Sequence, residues 1–181
     1  MKVLTLLRHA KSSWDDAVAR DFDRPLNPRG RQAARTIGRE MRAQGLDFDE
    51  VVASPAVRVM ETLDDVSSGY GSDIEPRWEK RIYLASTDSL LDLVRETDAQ
   101  VNRLLIVGHN PGLESLAILL TEGHDSALRG ELQTKYPTAT LAEIRLDIDG
   151  WDEIGQGKGE LTRFVRPRDL DAALGPDEDS Y

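Results

Sequence analysis

Cysteine is absent from the 181 residues. That excludes a disulfide scaffold, a zinc site built on thiolates and any reaction run by a cysteine nucleophile. Histidine is scarce, at three residues, so each one carries weight. Long apolar runs are missing too, and no stretch approaches the ~20 residues that a membrane-spanning helix needs. Lys2 and Arg8 enclose only five residues, too few for the apolar core of a secretory signal. The expectation is a soluble, cytoplasmic protein. Basic residues are in deficit, 23 against 33 acidic ones, for a formal charge of −10. Such a surface repels nucleic acid and anionic membranes, so neither is expected as a partner. Arginines gathered in one place would therefore run against the global sign.

The apolar residues that are present alternate with breakers in the manner of βα units. Val3-Leu4-Thr5-Leu6-Leu7 is short and continuously apolar, as a strand covered on both faces should be. Asn27-Pro28 reads as a helix cap followed by a proline, with Ala33, Ala34, Ile37 and Met41 as inner stripe and Gly45 as stop. Val51-Val52-Ala53 is a second strand. Ser54-Pro55 after it repeats the cap and proline, and Val57, Met60 and Leu63 form the next stripe, broken at Gly69-Tyr70-Gly71. Ser86 or Thr87 caps a helix carrying Leu90, Leu91, Leu93 and Val94. Leu104 to Val107 is the clearest strand, and Pro111 opens a helix through Leu113, Leu116, Ala117 and Leu120. Later, Thr140, Ala142, Ile144 and Leu146 share one side of a strand, and Leu161 to Val165 make another, joined through the glycine-rich turn from Gly150 to Gly159. The expected fold is α/β: a three-layer sandwich with a mostly parallel central sheet and helices on both faces. Residues 1–165 form one domain in this reading. From Arg166 the chain turns polar, and 166–181, with Pro176-Asp177-Glu178-Asp179 near its end, is expected to be a solvated acidic tail.

Two of these strands run into histidine. Arg8-His9-Ala10-Lys11 follows the first, and Gly108-His109-Asn110-Pro111 follows the run from Leu104. In an open parallel sheet that edge is where ligands bind. Asn110 and Pro111 bring the free N–H groups of a helix start beside His109, which favours an anion there. Arg58, in the first turn of the helix after Ser54-Pro55, leans back over the same edge. Each feature is weak alone, since a lone histidine is more often structural and a lone arginine a solvated charge. Taken together, Arg8, His9, Arg58 and His109 are candidates for an anion site, and a phosphoryl group is the expected anion. Lys11 is a secondary candidate, and Trp14 either touches substrate or packs its loop. His124, in a Gly-His-Asp segment, reads as an ordinary loop residue. No metal and no cofactor are expected.

Leu7-Arg8-His9-Ala10, Ser54-Pro55-x-x-Arg58 with Glu61-Thr62 after it, and Gly108-His109-Asn110-Pro111 jointly resemble the histidine phosphatase superfamily. Arg24-Pro25-Leu26-Asn27-Pro28-Arg29-Gly30 adds to the likeness, which extends over residues 2–165 and leans to the short bacterial branch that includes protein phosphohistidine phosphatases. The resemblance implies a phosphoglycerate mutase-like fold and a metal-independent phosphatase. It makes His9 the nucleophile, forming a phosphohistidine that water hydrolyses. It makes Arg8 and Arg58 a clamp on the phosphoryl oxygens and His109 a donor to them. Lys11 and Asn110 would be further substrate contacts.

Two departures stand out. Members usually carry glycine where this chain has Ala10. Many also carry a glutamate that protonates the leaving group, and here only Glu79 and Glu114 offer themselves; for each, a solvated carboxylate is the ordinary reading. A site without an acid is biased toward leaving groups of low basicity. Imidazole, with a pKa near ~6.5, departs far more easily than an alkoxide, whose basicity approaches the ~15.7 of bulk water. The expected substrate is thus phosphohistidine on a protein. The alternatives are a small-molecule phosphoester phosphatase or mutase, and a non-catalytic phosphate- or phosphoprotein-binding module.

Overall fold

A computed structural model of the chain describes residues 1–15 and 20–175; the acidic end at Pro176-Asp177-Glu178-Asp179 lies outside them. Strand β1 (Lys2–Arg8) sits inside the sheet between β4 (Arg103–Gly108) and β5 (Leu141–Leu146). The full order is β3-β2-β4-β1-β5-β6, with β2 at Glu50–Ala53, β3 at Arg77–Trp78 and β6 at Gly159–Val165. The β3, β2, β4 and β1 pairings are parallel, and β5 and β6 are antiparallel. The alternating pattern of Ala142, Ile144 and Leu146 marks that change.

Helices cover both faces. On one lie α1 (Pro28–Ala43) and α2 (Val57–Tyr70), packed with Leu7, Val51, Ala53, Leu105 and Val107. On the other lie α3 (Thr87–Arg95), α4 (Gly112–Leu120) and α5 (Ala127–Thr134), with Leu4, Leu6, Val52, Leu104 and Ile106. Successive residues of β4 feed opposite cores, the period-two geometry of a strand buried on both sides. The fold is the expected α/β sandwich.

The expected caps mostly hold. Asn27 Oδ1 accepts from the Gly30 amide, 2.7 Å away, and Ser86 Oγ from that of Ser89. Ser54 is different. Helix α2 begins at Val57 with no side-chain cap at Ala56, and the Ser54 hydroxyl accepts from the Ala56 amide at 3.3 Å while also meeting a histidine ring nitrogen. Nothing in the hydrophobic pattern marks α5. Ser126 caps it, and its buried Arg129 donates to Thr121 Oγ1 and the Ile118 carbonyl at the end of α4.

The segment from Arg166 is not solvated throughout. Pro167–Leu170 forms a short helix, α6, followed by a 3-10 turn at Ala172–Leu174. Pro167 and Leu174, the apolar residues of this polar stretch that reach the interior, are buried, Leu174 in the core beneath α1. Apolar burial thus overrides the polar composition at least as far as Gly175.

All of this prepares one edge. Arg8 lies opposite Gly108 in the β1–β4 register, and Ala53 opposite Val107 in the β2–β4 register, so the three strands end level. Leu141 and Val165, where β5 begins and β6 ends, reach the same edge.

Candidate active site

Arg8, His9, Arg58 and His109 converge at that edge, and all four are buried. With Lys11, Ser12, Trp14, Asp21, Arg24, Leu84, Asn110 and Thr138 they line a basin of about 170 Å³. That is below the ~300–1,000 Å³ of pockets that enclose whole metabolites, and suits a phosphoryl group with a small part of its carrier.

His9 is held at backbone and ring. Its amide donates to the Gly108 carbonyl at 3.0 Å, continuing the β1–β4 pairing by one residue. Nδ1 lies 2.7 Å from the Ala10 carbonyl. A carbonyl only accepts, so that bond puts the ring proton on Nδ1 and leaves the lone pair on Nε2. Burial first, then the positive charge of Arg8 and the neighbouring His109, hold the His9 pKa well below its ordinary value. The ring is neutral at physiological pH. Ala10, in the usual glycine position, is itself fully buried in the core with its amide donating to Thr62 Oγ1, so the extra methyl is accommodated.

The arginines are anchored from behind. Arg8 donates through Nη1 to the Tyr136 carbonyl at 2.9 Å, and Tyr136 is fixed by its own hydroxyl bond to the Leu6 carbonyl. Arg58 donates through Nη1 to the Asp21 carbonyl at 2.7 Å and through Nη2 to Asp21 Oδ2 at 3.1 Å. Its Nε is buried and makes no hydrogen bond to any described residue. Thr62, one turn on, donates to the Arg58 carbonyl, and Glu61 accepts from the Leu26 amide and from Arg31. The Glu61-Thr62 pair thus ties α2 to the loop after β1 at Ala10, to the loop before α1 at Leu26 and to α1 at Arg31.

His109 stands 5.3 Å from His9, ring centre to ring centre. Its Nε2 meets Ser54 Oγ at 2.7 Å, and its buried Nδ1 has no hydrogen-bond partner among the described residues. Burial, followed by the charge of Arg58, pushes its pKa down to about 3. Tyr83 packs edge-on against the same ring.

Asp21, Arg24 and Ser54 were not singled out by sequence reasoning. Asp21, in a 3-10 turn at Asp21–Asp23, accepts from Arg58, from Arg24 Nε at 3.1 Å and from the Tyr83 hydroxyl. Partial burial works against its charge, but Tyr83 and Arg58 outweigh it and hold the carboxyl down at about 2. Arg24 is buried, donates to Ser12 Oγ at 2.7 Å and lies 3.4 Å beneath the exposed Trp14 ring. The available signals were the Arg24-Pro25-Leu26 stretch, read for its likeness, and Ser54-Pro55, read as a helix cap and for its likeness, neither of them for contact at the site.

The other expected residues divide. Lys11 lines the basin. Asn110 lines it as well, yet Nδ2 donates to the Tyr136 carbonyl and Oδ1 accepts the Glu114 amide at the start of α4. Neither carboxylate considered as an acid lines the basin. Glu79 is bound by Arg81 and Arg77, chiefly Arg81, which lowers it to about 2. Glu114 borders an adjoining cleft with Arg8 and Asn110, and burial raises its pKa against the pull of Arg8. His124 donates through Nε2 to the Gly157 carbonyl and takes no part in the basin.

The sequence profile of the histidine phosphatase superfamily (branch 1) matches residues 4–82. An uncharacterised protein of Mycobacterium tuberculosis is 35% identical over 164 residues, covering 90% of this chain and 100% of its own length. The chain belongs to the histidine phosphatase superfamily. Within the superfamily it falls in the SixA-like branch. Phosphohistidine phosphatase SixA of Escherichia coli is 24% identical over 153 residues, 80% of this chain and 86% of that protein. A candidate phosphohistidine phosphatase SixA of Agrobacterium tumefaciens superposes with a TM-score of 0.77 at 26% identity, covering 92% of this chain and 98% of that one. A phosphoserine phosphatase variant of Entamoeba histolytica, at 15% identity and a TM-score of 0.61 over 94% of this chain and 100% of its own, shares the fold. A histidine phosphatase of this kind is a phosphatase enzyme whose substrates carry phosphate.

Proposed function

We propose that the chain dephosphorylates phosphohistidine on a protein through a transient phosphohistidine at His9, without a metal. The observation that carries this reading is the His9 Nδ1 bond to the Ala10 carbonyl. It presents a neutral Nε2 lone pair in a basin ringed by guanidinium groups. The likeness to the SixA proteins supports the same substrate class.

In the first step Nε2 of His9 bonds to phosphorus as the bond from phosphorus to the substrate imidazole breaks. Arg8, Arg58 through Nε, and His109 through Nδ1 receive the phosphoryl oxygens. Phosphoryl transfer asks mainly for positioning and charge stabilisation, which these groups supply. The dianion also favours a proton on His109, because it offsets the burial and arginine charge that keep the ring neutral before binding. Water then cleaves the bond to His9 and releases inorganic phosphate. Asp21, the one carboxylate among the described residues that line the basin, is ionised at neutral pH and has no proton to give an alkoxide. The substrate imidazole needs no proton from the site: with its free ring nitrogen protonated from solvent it departs as neutral imidazole, which favours a phosphoramidate as substrate.

Radiolabelled phosphohistidine peptide tests the reading beside glycerol phosphate. The expected result is turnover of the peptide, label trapped on His9 after acid-free quenching, and loss of both in His9→Ala. Preference for glycerol phosphate, or label on another residue, would overturn it.

A further inference from the structure

Beside the basin, the final described turn of the chain closes a second cleft. Lys11, Arg29 at the start of α1, Lys135 after α5, and Arg166 and Arg168 form its rim; Ala33, Pro137, Pro167 and Leu174 form its apolar floor. Among the described residues, no carboxylate lines it. Five cations thus meet in a chain whose formal charge is −10. Lys11 and Thr138 line both the cleft and the basin, so the two adjoin.

Neighbouring arginines on α1 are neutralised, Arg31 by Glu61 and Arg35 by Asp65. Arg166 is answered by Asp169 and Glu131. Arg29 and Arg168, by contrast, form no ion pair with any described residue. The cleft holds about 30 Å³, far under the ~300 Å³ at which pockets begin to enclose metabolites. It has room for the end of one side chain.

We infer that this cleft is a docking subsite for a carboxylate side chain lying close to the phosphohistidine of a protein substrate. The inference rests on the reading of the basin as a phosphohistidine site. Guanidinium forks match carboxylate geometry, and the apolar floor receives the methylenes that carry it. The patch also offsets the repulsion an acidic substrate meets from the rest of this surface, and so raises its rate of encounter.

The test uses two phosphohistidine peptides that differ only in having Glu or Gln at the flanking positions, with phosphoramidate as a small control. Wild-type protein should show a KM about five- to tenfold lower for the Glu peptide at equal kcat, a preference that added salt (about 0.3 M) narrows. The double variant Arg29→Ala, Arg168→Ala should lose the preference and turn over phosphoramidate as wild type does, which also shows that it folds. Arg29→Glu, Arg168→Glu should reverse it. Equal KM values in wild type, or a preference that survives both variants, would overturn the subsite while leaving the phosphohistidine reading intact. Turnover of phosphoramidate but of neither peptide would overturn both.

Discussion

Asp21 is the residue whose role is least visible without the fold and most testable with it. It places a negative charge between Arg58, part of the proposed phosphoryl clamp, and Arg24, which lines the same basin. Two consequences oppose each other. The carboxylate anchors Arg58 through charge-assisted bonds, worth about 1.5–3 kcal/mol when intact. It also repels the dianion. In Asp21→Asn the amide keeps the shape and loses the charge, so inorganic phosphate should inhibit at about three- to tenfold lower concentration. kcat should fall about tenfold as Arg58 loses its fix. Unchanged phosphate inhibition and unchanged kcat would make Asp21 a bystander. Arg8, His9, Arg58 and His109 were legible as site candidates because each sits within a few residues of a strand end that the apolar runs reveal. Asp21 was not, because its partner Arg58 lies 37 residues away; Ser54, itself at a strand end, was read as a helix cap, since only packing sets its hydroxyl against His109, 55 residues on.

At the scale of elements, α1 and α2 matter most, since α2 carries Arg58 and Thr62 and rests on α1. The two helices cross with little space between backbones. A Cβ on Gly38 would stand 2.2 Å from the Val66 carbonyl oxygen, and one on Gly69 2.1 Å from that of Arg35. Gly38→Ala must therefore part the helices. Overpacking of this kind costs about 1–3 kcal/mol, which exceeds the ~1 kcal/mol that alanine returns in helix propensity. Gly130, exposed in α5, is the contrast: a methyl added there would meet no described atom within 4 Å. Gly130→Ala should stabilise by up to about 1 kcal/mol. Urea unfolding midpoints of the two variants should move in opposite directions, and activity should fall with Gly38→Ala alone. The same contrast explains what could be read from sequence. Strands β1, β2 and β4 and helices α1, α3 and α4 announce themselves through apolar periodicity; in α2 only Leu63 of the expected stripe Val57, Met60 and Leu63 is buried, Met60 is exposed, and Val59 and Val66 face the core instead. Helix α5 buries only Arg129 and Leu132, and α6 is a single turn, so neither leaves a periodic trace.

Across the whole molecule, the basin imposes a pH dependence on folding itself. His9 and His109 are buried neutral among arginines, and His109 binds its proton only near pH 3 in the folded state. In the unfolded chain both titrate near ~6.5. Between those values the unfolded state holds protons that the folded state refuses, so stability rises with pH there and is lost as pH falls below about 6.5. The slope from His109 approaches ~1.4 kcal/mol per pH unit, and His9 adds to it in the same direction. Carboxylates held low, such as Asp21 at about 2, add their own loss only further down, as pH falls through about 4. Unfolding free energies measured in urea at pH 7.5, 6.5, 5.5 and 5.0 should therefore be flat over the first interval and decline over the rest. His109→Gln, which cannot take a proton, should flatten that decline by about half. Bound inorganic phosphate should flatten it as well, since a dianion among these groups lets the folded state accept the proton on His109. A wild-type curve level from pH 7.5 to 5.0 would mean that these histidines are not held neutral, and the presentation of the His9 lone pair would lose its physical basis.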